Sequence, residues 1–388
     1  MENRVYYGEY SLKHWLDLIL TKNIILPEYQ RKFVWKPEQV KNLIETIKKG
    51  EFVPPVTIGS AVINGENKNI IIDGQQRLTS LLLYDLNVYP QISKFINNKT
   101  INLSVENEDD DIDDNENIEW RFDLLLKDYP TIDETLYDKL YETKDRCDVT
   151  LENHYLGFAY IIPDGGKEEQ SRYYSSVFKH INESGNKLSK EESRRALYFL
   201  DSRYTDFFDT KTFDVIRVQQ QSVERKIDFV RYAAMLAQYY KCKNADRIAI
   251  GYGATEKRED YYAEYINSVI ENKDSELFGI FEVVFPDGVY NQRLQRIHET
   301  ISNPLFPKKF TSIIDADFFL FGLIFYILFE DKAIQFSNEL NSNIIIAIEK
   351  AKKGKEGAKR RQSPNALNFT QQRIKKSLEL YKDYAQAL

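Results

Sequence analysis

The stretch Asn69-Ile70-Ile71-Ile72-Asp73-Gly74, followed at once by Gln75-Gln76-Arg77-Leu78-Thr79-Ser80 and continuing to Leu86, constrains the fold more than any other. The β-branched run reads as the returning strand of a hairpin. Its turn is Asn64-Gly65, and its outgoing strand is Pro55-Val56-Thr57-Ile58. The strand stops at Asp73-Gly74, where glycine permits a sharp reversal. A helix then begins at about Gln75 and continues through Leu86. Any fold for this half must therefore join a strand to a helix through one tight turn.

The rest of the first half is mixed, and the second half is almost entirely helical. Pro37 to Lys49 reads as a helix, with Val40, Leu43, Ile44 and Ile47 on one face and Pro37 in the first turn. Tyr173, Val177, Phe178 and Ile181 mark another helix, interrupted by the loop 182–187. Ser189 and Glu192 form a capping box that opens the next one. From about residue 220, Ile227, Val230, Ala234 and Ala237 line a helical face, and 313–330 is a long apolar segment. Arg373 to Ala387 reads as a closing amphipathic helix. The 388 residues suggest two domains, placed here at 1–205 and 206–388, in an α+β chain.

With 42% hydrophobic and 29% charged residues the chain falls in the ordinary globular range. Cys147 and Cys242 stand far apart, which removes a disulfide framework and structural zinc and suggests a reducing cytoplasm. No export signal is read at the first residues. The apolar run Phe318 to Phe329 is short of the roughly 20 residues needed to span a bilayer. It is bounded by Asp317 and Glu330, so a buried core helix is expected and no membrane partner.

The formal net charge of -7 conceals two opposed blocks. Residues 106–119 hold nine acids and no base, which reads as a solvated loop without EF-hand spacing. Residues 350–376 hold ten Lys/Arg and one acid. The densest part, 350–361, carries Lys352, Lys353, Lys355, Lys359, Arg360 and Arg361. Its two glycines read as a flexible loop or a frayed helix end. It is either a solvated surface segment or a contact for nucleic-acid phosphates.

Three short motifs can carry chemistry. At the Asp73–Arg77 turn, the free N–H groups and positive dipole of a helix start favour an anion. Arg77 can add a bidentate phosphate contact, and Gln75 and Gln76 can position water or base edges. Asp73 can orient a metal ion or a nucleophilic water. The alternative is structural: Asp73 caps the helix and Arg77 pairs with it. In Leu26–Trp35, Gln30 and Arg31 can present an amide and a guanidinium to an anion, or the loop simply packs Phe33 and Trp35. In Phe178–Ser189, Asn182 and Gly185 form a turn able to point N–H groups at a ligand, or a plain helical corner. Walker, GxGxxG and GxSxG patterns are absent, and His14, His154, His180 and His298 are scattered without an HExxH.

LPEYQRKFVW, IIDGQQRLTSLLL and FKHINESGNKLSKEESRRAL, in that order, resemble the N-terminal domain of GmrSD-type modification-dependent restriction enzymes. That family is a branch of the ParB/sulfiredoxin-like superfamily. The resemblance covers about residues 8–200 and continues more loosely through Glu224–Phe229. It implies an NTP-binding and NTP-hydrolysing site at Asp73, Gly74, Gln75, Gln76 and Arg77, with Thr79 in the same stretch. It also implies nucleotide contacts from Gln30, Arg31 and Trp35, and from Asn182 and Gly185. NTP, with GTP as one candidate, and Mg2+ at Asp73 are the implied cofactors, and DNA is the implied partner. Many relatives add a C-terminal HNH nuclease domain and act against phage or modified DNA. No HNH pattern follows residue 200 here, so a partner nuclease or a homo-oligomer is considered. The expectation is an NTP-hydrolysing, DNA-associated defence protein. The alternatives are a non-catalytic, nucleotide-gated DNA-binding subunit and a ParB-like nickase.

Overall fold

The computed structural model describes residues 3–26, 33, 35–63, 66–95, 120–142, 146, 148–166, 169–170, 173–174, 177, 194–195, 197–198, 202–220, 223–250 and 255–388. The chain divides into two compact units, one from the described residues of 1–98 and 112–200, the other from those of 201–388. The first is mixed α and β and the second mainly helical, as the sequence pattern requires.

The first unit is built on a five-stranded mixed sheet. Its strands are β1 (Arg4–Ser11), β2 (Ile24–Ile25), β3 (Val56–Ile63), β4 (Glu66–Asp73) and, after the short antiparallel pair β5 (Val88–Pro90) and β6 (Tyr137–Lys139), β7 (Tyr155–Ile162). The order across the sheet is β1-β7-β3-β4-β2. β3 and β4 form the expected hairpin, antiparallel from Ile63↔Glu66 to Thr57↔Asp73. β7 inserts beside β3, parallel to it, and is covered on its other edge by antiparallel β1.

Helices bury their apolar faces against this sheet. α1 (Leu12–Leu20) follows β1 directly, with Ser11 accepting from the His14 N–H at the N-cap, and it buries Leu12, Trp15, Leu16 and Ile19. α2 (Pro37–Lys48) buries the four residues its spacing predicts, Val40, Leu43, Ile44 and Ile47. α3 (Gln75–Leu86) is buried from Gln75 through Tyr84 and closes on Asn87 in a left-handed conformation. These elements share one core with Phe33, Val56, Ile58, Ile71, Trp120 and Leu156.

In the second unit α4 (Phe229–Cys242), capped by Asp228, is followed by α5 (Thr255–Glu271) and α6 (Tyr290–Ser302). All twelve residues of α7 (Ile313–Ile324) are buried, and its apolar run continues as a π-helical turn, Phe325–Phe329. Among the described residues no helix is long and apolar enough to cross a membrane. α8 (Asn338–Lys352) and α9 (Gly354–Gln362) lead to α10 (Leu367–Lys382). α10 lies so close to α7 that a Cβ on Gly322 would fall 2.7 Å from the Ser377 carbonyl oxygen. The Ser377 hydroxyl accepts from the Gly322 N–H and donates to the Phe318 carbonyl, which locks the two helices together.

Two expectations are corrected here. The basic segment 350–361 is helical rather than a loop: Lys353 alone separates two helices, and Gly357 is used for close packing on the Lys352 backbone. The closing helix starts at Leu367 and stops at Lys382, because Ala385–Ala387 pairs as a strand with Lys332–Ile334.

Candidate functional site

Strand β4 delivers Asp73 to the start of α3, and Gly74 makes the junction with φ +97°. A Cβ at Gly74 would lie 3.0 Å from Val56 Cγ2 and 3.2 Å from Arg77 Nη2, in a conformation that L side chains rarely adopt. Because the N-cap is glycine, it has no side chain with which to cap the helix start. Gly74→Ala is expected to cost about 1–3 kcal/mol of stability, measured by chemical denaturation, and unchanged stability would contradict this account of the turn.

Arg77 ties the turn together. Its Nη2 donates to Asp73 Oδ2 at 2.5 Å, while Nη1 donates to the carbonyls of Pro54 and, at 3.2 Å, Pro55. The Arg77 side chain is nearly buried, whereas the Asp73 side chain is 44% exposed. Asp73 thus pairs with Arg77 and does not cap the helix. The fork joins the first turn of α3 to the segment that enters β3.

Trp35 is brought to the same helix through its backbone. Its N–H donates to Gln76 Oε1 at 3.4 Å, and its carbonyl accepts from the Tyr89 hydroxyl at 2.8 Å. Burial, helped by Glu38, pushes the Tyr89 hydroxyl up to about 12, so it remains a donor at physiological pH. The other two glutamine-helix residues named from the sequence behave differently. Gln75 Nε2 and Thr79 Oγ1 are buried and have no hydrogen-bond partner among the described residues. They stand four residues apart, on one face of α3. Buried polar groups are nearly always satisfied, so two orphans on one face are unusual. Gln30, Arg31, Asn182 and Gly185 lie outside the described residues, as does the acidic segment 106–119.

Among the described residues no group of three or more His, Cys, Asp or Glu is placed to hold a metal ion. Asp73 offers one half-exposed carboxylate, already paired with Arg77. That donor set fits Mg2+ only in company with phosphate oxygens, the usual way Mg2+ is held at nucleotides.

The six cations named from the sequence lie on α8, on α9 and at Lys353 between them, but they are not equivalent. Lys352 Nζ lies 2.5 Å from Asp315 Oδ1. Arg360 donates to the Ala351 carbonyl, Glu356 Oε1 and Gln372 Oε1, and Arg361 donates to the Lys352 carbonyl. Lys353, Lys355 and Lys359 are exposed. A further polar cluster was missed by sequence reasoning: Asp317, fully buried in α7, is bound by Arg231, Tyr232 and Arg373. Its one sequence signal was an acid at the edge of an apolar run.

A mixed sheet whose central hairpin runs through a glycine turn, with no side-chain cap, into a buried helix defines an α+β domain. Residues 12–199, whose described residues lie in the first unit, match the family described as GmrSD restriction endonuclease, N-terminal domain. No curated protein and no solved structure matches the chain.

Proposed function

We propose that the chain acts in restriction-type defence against foreign DNA, and that the Asp73–Arg77 turn binds and hydrolyses a nucleoside triphosphate. The observation that carries the reading is the uncapped start of α3, combined with the orphaned donors Gln75 Nε2 and Thr79 Oγ1. An anion at that point gains the helix dipole and main-chain N–H groups, and a ligand that reaches the inner face also satisfies both orphans. Asp73 would orient the attacking water, and with Mg2+ bound it would share the ion with phosphate oxygens. The ion would supply neutralisation of phosphate charge. Phosphoryl transfer rests chiefly on positioning and charge neutralisation, which this residue set can provide.

The test is NTP turnover by the full chain, with GTP and ATP in separate arms. Asp73→Ala is expected to lower the rate about 100-fold or more while the chain stays folded, since the carboxylate is half exposed. Equal rates for the two proteins, or no turnover with any NTP, would sink the hydrolytic claim.

A second reading rests on the three exposed lysines of α9 and its flank. Lys353, Lys355 and Lys359 are exposed and have no ion pair among the described residues, the footprint of backbone phosphate contact. A nucleotide-gated DNA-binding subunit without its own hydrolysis would use the same turn and this helix. DNA affinity that falls steeply with salt and survives Asp73→Ala would favour it over the hydrolytic reading.

A further inference from the structure

The two edges of the five-stranded sheet are built differently. At one edge, β2 is only two residues long, Ile24–Ile25, which gives an incoming strand little to pair with. At the other, β1 runs for eight residues and pairs with β7 in one unbroken antiparallel register, from Arg4↔Ile162 to Ser11↔Tyr155. On its outer side no described residue hydrogen-bonds to the backbone of Arg4–Glu9. An edge strand turns half of its N–H and C=O groups outward, so β1 presents a row of main-chain donors and acceptors.

β1 also lacks the devices that keep such an edge from pairing. It contains no proline and no lysine, and its register has no bulge. Its first six residues are exposed. Between Arg4 and Glu9, the only charges, the exposed side chains are apolar or aromatic: Tyr7 is 77% exposed, Tyr6 47% and Val5 38%.

We propose that β1 pairs antiparallel with β1 of a second copy of this chain, about a two-fold axis at Tyr6. An axis perpendicular to both sheets keeps their corresponding faces on the same side. Directly opposed residues share a face, and faces alternate along a strand. Only registers in which opposed residue numbers sum to an even value are therefore possible. Of the two that overlap most of the strand, the one centred on Tyr7 sets Val5 against Glu9, and does so twice. The one centred on Tyr6 sets Val5 against the other copy's Tyr7 twice, Tyr6 against itself, and Arg4 against Gly8. No charge then faces a charge or an apolar side chain, and aromatic–β-branched pairs are among the favourable cross-strand pairs. The strand's own sequence supplies a suitable neighbour at each position, which selects a second copy over an unrelated strand.

Sedimentation equilibrium of the full chain reads the pairing, and cysteine cross-linking reads the register. The wild type is expected to dimerise reversibly. Val5→Lys combined with Tyr7→Lys, both at exposed positions, sets like charges opposite each other twice and should weaken association about tenfold or more. Under mild oxidation Tyr6→Cys is expected to give a covalent dimer, because directly opposed residues stand about 4.5–5.5 Å apart, within disulfide reach. The wild type, treated alike, controls for Cys147 and Cys242. Tyr7→Cys alone should not cross-link, since its two copies would lie diagonally, about 7–8 Å apart. A wild type that stays monomeric up to about 0.1 mM overturns the proposal. So does a dimer that the two lysines leave unchanged, or a Tyr6→Cys protein that gives no more covalent dimer than the wild type.

Discussion

Asp317→Asn is expected to destabilise the helical unit by about 3–5 kcal/mol, the range for breaking a buried charged group by removing one member. Asp317 Oδ1 accepts from Arg231 Nη1 at 2.6 Å and from the Tyr232 hydroxyl at 2.8 Å. Oδ2 accepts from Arg231 Nη2 at 2.9 Å and Arg373 Nε at 2.7 Å. Asparagine would remove the charge and turn an N–H group toward these donors. Two buried guanidiniums would then lose the carboxylate they share. Far-UV circular dichroism during urea denaturation reads the change, because the three tryptophans, Trp15, Trp35 and Trp120, all lie in the first unit. A loss below about 1 kcal/mol, the level of an exposed pair, would show that the cluster adds little.

The same carboxylate predicts an acid limb. Burial disfavours its ionised form, but Arg231 and Arg373 outweigh burial and hold its carboxyl below the ordinary value. A group with a depressed folded value contributes stability that is complete above the unfolded value of about 3.9 and is lost as pH falls through the folded one. The wild type should therefore weaken below about pH 4 by a component that Asp317→Asn lacks. Superimposable acid limbs would count against this assignment.

What the sequence disclosed follows from which forces are local. The buried face of α2 and the extent of α3 were legible because helical periodicity and a glycine stop are written within a dozen residues. The insertion of Tyr155–Ile162 between β1 and β3 was not, since strands that pair across such sequence separations carry no mark of their neighbours. Gly354 and Gly357 suggested a loose segment by residue type, yet Gly357 serves close packing on the Lys352 backbone, which only contacts reveal. The site divides in the same way. The residue types at 73–77 named the turn, but Arg77 binds backbone carbonyls at 54 and 55, and a carbonyl has no sequence signature. Asp317 had a signal, although its arginine partners stand 86 and 56 residues away.

Arg77→Ala separates the two roles that the candidate site asks of one side chain. As a strut, the guanidinium serves three acceptors, and its loss leaves them to water. Pro54 is exposed and Asp73 half exposed, so rehydration limits the cost to about 1–3 kcal/mol rather than the sum of three charged hydrogen bonds. Stability costs of Arg77→Ala and Asp73→Ala should then fall short of additivity in the double variant, because both break the same pair. As a phosphate ligand, Arg77 has a second effect: an NTP would bind about 100-fold more weakly, since a lost charged contact of about 3 kcal/mol is worth that factor. The two effects are read by different measurements, denaturation of the free protein and the shift in melting temperature on adding NTP. If the strut role stands alone, Arg77→Ala lowers the melting temperature yet leaves the NTP-induced shift the same size as in the wild type. If both roles hold, the shift collapses as well, and Arg77→Lys, which restores charge without the fork, recovers only part of it. A shift that persists in full would remove Arg77 from the nucleotide site and leave Gln75, Thr79 and the main-chain N–H groups as its donors.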